Sequence, residues 1–122
     1  MKQHWKTEPD EHDYPAAQAY LSLVASDKGA AALVKALKDA PLTLQKAKDL
    51  LRASCLALLP DTNAHVAKDL EKVRKGEDLS PVLLVRGNLV TGTPLAIADG
   101  YHRICASYHL DEDADIPCRL VD

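Results

Sequence analysis

Toward the end of the chain, Ile97-Ala-Asp-Gly-Tyr-His-Arg103 sets an imidazole and a guanidinium directly behind an Asp-Gly pair. Leu95-Ala-Ile-Ala98 reads as a short strand. Asp99-Gly100 breaks it, and Tyr101 to His109 carries the helical stripe Tyr101, Ile104, Cys105, Tyr108. A strand that hands over to a helix in this way favours anions for physical reasons. The first backbone N–H groups of a helix lack intrahelical partners, and the aligned peptide dipoles add partial positive charge there. Gly100 allows a sharp turn and puts no side chain in the way of an approaching ligand. His102 and Arg103 contribute donors, and Arg can grip two phosphate oxygens at once. The chemistry expected is phosphate binding. The structural alternative makes Asp99 a helix cap, Gly100 a turn residue, and His102 and Arg103 solvated surface.

Other candidates lie upstream. Leu56-Ala-Leu-Leu59 is a short apolar run closed by Pro60-Asp61, and reads as a buried strand entering a turn. Asp61, Asn63 and His65 follow it and could face the same cleft. There they could position a water, bind a metal or act as a general base. The alternative is that Asn63 caps a helix beside a solvated His65. Asp61, His65 and Asp99 are the candidates for catalysis. Gly100, Tyr101, His102, Arg103 and Ser80 are the candidates for holding phosphate, although Ser80, just before Pro81, could equally end a loop. No set of metal ligands stands out. Cys105 falls on the apolar stripe of its helix and is assigned to packing.

Positioning these residues requires a small sheet with helices. After Leu56–Leu59, Asn63 caps a helix carrying Val66, Ala67, Leu70 and Val73, and Gly76 sits at its left-handed C-terminal cap. Val82-Leu-Leu-Val85 is a second buried strand, residues 86–94 a hairpin connection, and Ile116 to Val121 a final strand with Pro117 near its start. The acidic run 111–115 reads as a solvated loop. Residues 55–122 thus predict an α+β domain with helices on one side of a small mixed sheet. Ahead of it, residues 14–54 read as a helical extension of three helices. Their stripes are Ala17, Tyr20, Leu21 and Val24; then Ala30, Leu33, Val34 and Leu37, capped by Ser26 or Asp27; then Leu44, Ala47, Leu50 and Leu51, capped by Thr43. Residues 1–13 are polar and are expected to be poorly ordered.

Composition narrows the function classes. A chain of 122 residues buries a real core, and with 47% apolar, 4% aromatic and no Phe that core must be aliphatic. Net charge −3 with scattered Lys and Arg argues against autonomous DNA binding. Three widely spaced cysteines without a C-x-x-C pair argue against a disulfide framework or a zinc knuckle. No apolar run is long enough to span a bilayer and no secretory signal is present, so no membrane contact and a cytoplasmic location are expected. Lys35, Lys38, Lys46, Lys48 and Arg52 leave a protein partner open for the helical half.

Lys75-Gly-Glu-Asp-Leu-Ser-Pro-Val-Leu-Leu-Val85, Ile97-Ala-Asp-Gly-Tyr-His-Arg-Ile-Cys-Ala106 and Ile116-Pro-Cys-Arg-Leu-Val121 resemble, in that order, the ParB/sulfiredoxin superfamily. Its domains show a helix ending in Gly, a Pro-apolar-apolar-Val strand, a variable hairpin, a strand into Asp-Gly-x-His-Arg, and a closing strand. Leu58 to Asn63 looks like the first strand and its loop. The resemblance covers residues 55–122 and leaves the helical first half outside it. It implies a ParB/sulfiredoxin-like fold holding nucleotide phosphate through Gly100, His102 and Arg103, with Asp99 orienting the turn or helping to place a metal ion. The ligand implied is a nucleoside triphosphate with Mg2+. Members include CTP-binding partition proteins, sulfiredoxins, a free-serine kinase and some nucleases. Tyr101 stands where sulfiredoxins carry their cysteine, so sulfinic-acid reduction is not expected. Partition-type DNA reading is not expected either, because no helix-turn-helix follows. The expectation is a nucleotide-binding protein with NTP hydrolysis or phosphoryl transfer. The alternatives are a non-enzymatic interaction or regulatory module and, more weakly, a metal-dependent nuclease.

Overall fold

The chain forms six strands and five helices. The computed structural model describes residues 1–122. In chain order the elements are β1 (His4–Trp5), α1 (Asp13–Val24), α2 (Asp27–Asp39), β2 (Leu42–Lys46), α3 (Ala47–Ser54), α4 (Ala64–Arg74), β3 (Asp78–Leu79), β4 (Val82–Val85), β5 (Ala96–Asp99), α5 (Tyr101–Leu110) and β6 (Asp115–Val121). The main sheet has the order β2-β6-β4-β5. It is mixed: β6 runs antiparallel to β2 and parallel to β4, and β5 runs antiparallel to β4. β1 and β3 form a separate parallel pair.

The chain is an α+β protein, as expected, but its helices cover both faces of the sheet. Successive strand residues point to opposite faces. On one face Val82, Leu84, Ile97, Ile116 and Cys118 pack with Ala47, Leu50 and Leu51 of α3, Val66 of α4, and Ile104 to Ala106 of α5. On the other, Leu83 and Ala98 pack with Tyr14, Ala17 and Leu21 of α1 and Ala30, Val34 and Leu37 of α2. Double cover is why Val82-Leu-Leu-Val85 is continuously apolar and does not alternate.

The local caps follow the sequence signals. Ser26 Oγ accepts from the Gly29 N–H at 2.9 Å, and Asn63 Oδ1 accepts from His65 and Val66. Gly76 has φ +75°, with Glu77 N–H bonded to Lys72 O and Gly76 N–H to Val73 O, so α4 ends in a Schellman motif. Asn88 pairs with Thr93 in the 86–94 connection. Pro117 lies where only β2 runs alongside β6, ahead of the β4 pairing that begins at Cys118.

Other expectations give way to tertiary pairing. Thr43 caps no helix: Leu42–Lys46 pairs with β6, from Leu42 opposite Arg119 to Lys46 opposite Asp115, and the helix begins at Ala47. Leu56 to Leu59 forms no strand because no strand lies beside it. Its carbonyls instead accept side-chain bonds from α5, Ala57 O from the Tyr101 hydroxyl and Leu59 O opposite His109 Nε2 at 2.7 Å. The buried stripe of α1 is Asp13, Tyr14, Ala17 and Leu21, leaving Tyr20 and Val24 exposed. The acidic 111–115 loop is engaged by Lys46 with Asp115 and Lys48 with Asp113. Residues 1–13 follow a defined path: β1 pairs with β3, Trp5 packs against the core, and Gln3 accepts from Ser107. A boundary at 54/55 would cut the β2–β6 ladder and remove α3 from the core it shares with α5.

Candidate functional site

The polar face of α4 and the first turn of α5 meet over one cavity. Val66 and Val73 turn the apolar face of α4 inward, which leaves His65, Lys68, Asp69 and Lys72, spaced i, i+3, i+4, i+7, on an adjoining stripe. Facing them, Gly100 carries φ +110° and α5 begins at the next residue. A Cβ on Gly100 would lie 2.4 Å from Val82 Cγ1 and 2.8 Å from Val82 Cβ. Glycine is thus required by its left-handed backbone and by contact with β4. The expectation that it keeps a ligand's path open is not what fixes the residue.

The cavity is about 320 Å³ and is lined by His12, His65, Lys68, Asp69, Lys72, Asp99, Gly100, His102 and Arg103, with no apolar residue among them. Arg103 turns inward, its side chain only 17% exposed. Its Nη2 donates to Asp99 Oδ2 at 2.9 Å and to Pro81 O at 3.4 Å, and lies 3.8 Å from Asp13 Oδ2. Its buried Nε–H has no acceptor. The His65 and His102 rings are tilted against each other with centroids 4.7 Å apart. A larger cleft of about 750 Å³, between Cys55 and the 86–94 connection, offers Arg52 and Arg86 but no carboxylate or imidazole.

Burial tunes the ionisable groups in the cavity. Burial raises the Asp69 carboxyl above its ordinary value, although Arg103, Lys72, His102 and Lys68 pull the other way. Burial likewise raises Asp99 against the opposing pull of Arg103. His102 is lowered by burial and then by neighbouring His65, so its imidazole is neutral at pH 7. Two lysines and an arginine thus face two carboxylates whose ionisation is disfavoured. The balance is locally positive in a chain of net charge −3.

Of the residues singled out in the sequence, Asp99, Gly100, His102, Arg103 and His65 gather at this cavity. Tyr101 contributes its backbone to the first turn of α5, but its hydroxyl is bound to Ala57 O. Ser80 is buried behind Arg103 and does not line the cavity; its hydroxyl donates to Asp13 and accepts from the Asp10 N–H. Asp61 is exposed and lies outside the lining. Lys68, Asp69, Lys72 and His12 were not singled out. The signal for the first three was the charged stripe itself, with Asp69 set between the buried positions Val66 and Val73. His12 offered no local signal, because a path through β1 and α1 brings it there. Cys105 and Cys118 are buried thiols, Cys118 pushed up to about 11 by burial, and both are inert packing groups. No helix is long and apolar enough to cross a membrane. The chain matches no protein-family model, no curated protein and no solved structure.

Proposed function

We propose that this chain binds the phosphate of a nucleotide in the cavity between α4 and the first turn of α5. One observation carries the reading: a wholly polar lining sets Lys68, Lys72, Arg103 and three imidazoles around a helix start whose N–H groups lack intrahelical partners. The unpaired Arg103 Nε–H adds a buried donor in want of an acceptor. The resemblance of Gly100, His102 and Arg103 to the phosphate-binding turn of the ParB/sulfiredoxin superfamily supports the same ligand class, with Mg2+ accompanying a triphosphate. In phosphoryl transfer these cations would stabilise charge on the transferring group. Asp69, a carboxyl in the same lining whose pKa burial raises, is the candidate general base of such a transfer.

Binding without turnover, as in a regulatory module, is the second reading. It is favoured by the fixed state of Arg103, whose charge is already shared with Asp99 and neighboured by Asp13. Titration calorimetry with ATP, CTP and GTP in Mg2+ tests both readings. At least one nucleotide is expected to bind, and Lys72→Glu, a change at the cavity wall and outside the core, should weaken it at least tenfold, about 1.4 kcal/mol. Phosphate release in the same samples separates enzyme from module. Failure of all three nucleotides and of inorganic pyrophosphate to bind ends both readings.

A further inference from the structure

The segment leading into α1 brings together a second set of chemical groups. Asp10, His12 and Asp13 each present one ligating atom, and these atoms lie within 4.8 Å of one another. The Asp13 side chain is only 4% exposed, and its two oxygens have different surroundings. Oδ2 accepts from the Ser80 hydroxyl and from the Asp10 N–H at 3.3 Å, and has Arg103 Nη2 at 3.8 Å. Oδ1 accepts no hydrogen bond and faces His12 Nε2 at 3.4 Å. With Oδ2 held by these donors, Oδ1 is the oxygen of Asp13 left for a cation to meet. His12 occupies the N-cap position of α1, but its side chain makes no capping bond there. The Ser80 bond, from a residue far along the chain, fixes the Asp13 carboxylate with Oδ1 turned toward the imidazole.

We propose that Asp10, His12 and Asp13 form a divalent-cation site. A mixed nitrogen and oxygen donor set suits Mn2+ or Zn2+ better than Mg2+, which prefers oxygen and dehydrates reluctantly. Three protein ligands leave coordination positions for water or for a ligand oxygen. His12 also lines the polar cavity, so the cation adjoins the phosphate pocket. The site rests on its own ligands and does not depend on the phosphate reading. One group competes with the metal: Lys6 Nζ lies 2.7 Å from Asp10 Oδ1 and must yield when the cation enters.

The test uses the full chain without nucleotide. Mn2+ is added and the free ion is followed by electron paramagnetic resonance, with Zn2+ as a competitor. One equivalent is expected to bind. His12→Ala, a change at a side chain 82% exposed, should weaken binding at least tenfold. Lys6→Gln should tighten it, a gain that damage to the fold cannot produce. The proposal is overturned if wild type binds neither ion up to about 1 mM, if His12→Ala binds as wild type does, or if both variants weaken alike. Metal binding without nucleotide binding would remove the phosphate reading and leave this site standing, and the reverse result would do the opposite.

Discussion

Asp69 is held among cations in a setting that resists its ionisation, and that conflict has a measurable cost. Its carboxyl is raised above the value it has in the unfolded chain. Between those two values the folded state binds more protons, so stability falls as pH rises through the window and stays reduced above it. Asp69→Asn removes this loss. The variant should be more stable than wild type at pH 7, by roughly 0.5–2 kcal/mol, and the difference should shrink toward zero as acid protonates the wild-type carboxyl. Urea unfolding at neutral and acid pH measures both. A variant equally or less stable at every pH would mean that Lys68, Lys72 and Arg103 hold the carboxylate charged. Asp99 is a poorer position for the same test, because its carboxylate also fixes the Arg103 guanidinium.

At the scale of elements, the join between β5 and α5 is the most constrained point near the site. Gly100→Ala would place a side chain at φ +110° and drive its Cβ into Val82. Left-handed strain costs about 1–3 kcal/mol and overpacking a further 1–3 kcal/mol or so. If the collision with Val82 is the larger part, Gly100→Ala with Val82→Ala should be less destabilised than the sum of the two single changes; strict additivity in denaturant unfolding would assign the cost to the backbone alone. This join was legible in the sequence because Asp-Gly between an apolar run and a helical stripe is a local signal. So were the caps at Ser26, Asn63 and Gly76, each set by residues within a turn of one another. β2 and residues 56–59 were not. Leu42–Lys46 is a strand only because β6 lies beside it, some seventy residues later in the chain, whereas the apolar run after Cys55 has no such neighbour. The charged stripe of α4 was open to the same periodicity that found its apolar stripe, but a charged helix face more often meets only solvent.

For the whole molecule, the question is whether residues 55–122, the part that follows the first three helices, can stand alone. The sheet answers from both faces. Without residues 1–54, β6 loses its antiparallel partner and becomes an edge strand carrying Ile116 and Cys118. The core on one face loses Ala47, Leu50 and Leu51, and on the other Leu83 and Ala98 lose all of α1 and α2. Six large or medium apolar side chains from the missing part, Tyr14, Leu21, Val34, Leu37, Leu50 and Leu51, are buried in the full chain. At about 1.5–3 kcal/mol for each buried side chain, their combined burial is of the same order as the whole stability of a small domain, about 5–15 kcal/mol. The site suffers too, since Asp13, which neighbours Arg103 and binds Ser80, is removed. A fragment of residues 55–122 is therefore expected to be unfolded in water, without a cooperative thermal transition by circular dichroism. The full chain should unfold in one step, because α3 and α5 share a single core. A fragment that folds cooperatively would show that the first half is an independent cover and that the polar cavity needs only the elements that follow it.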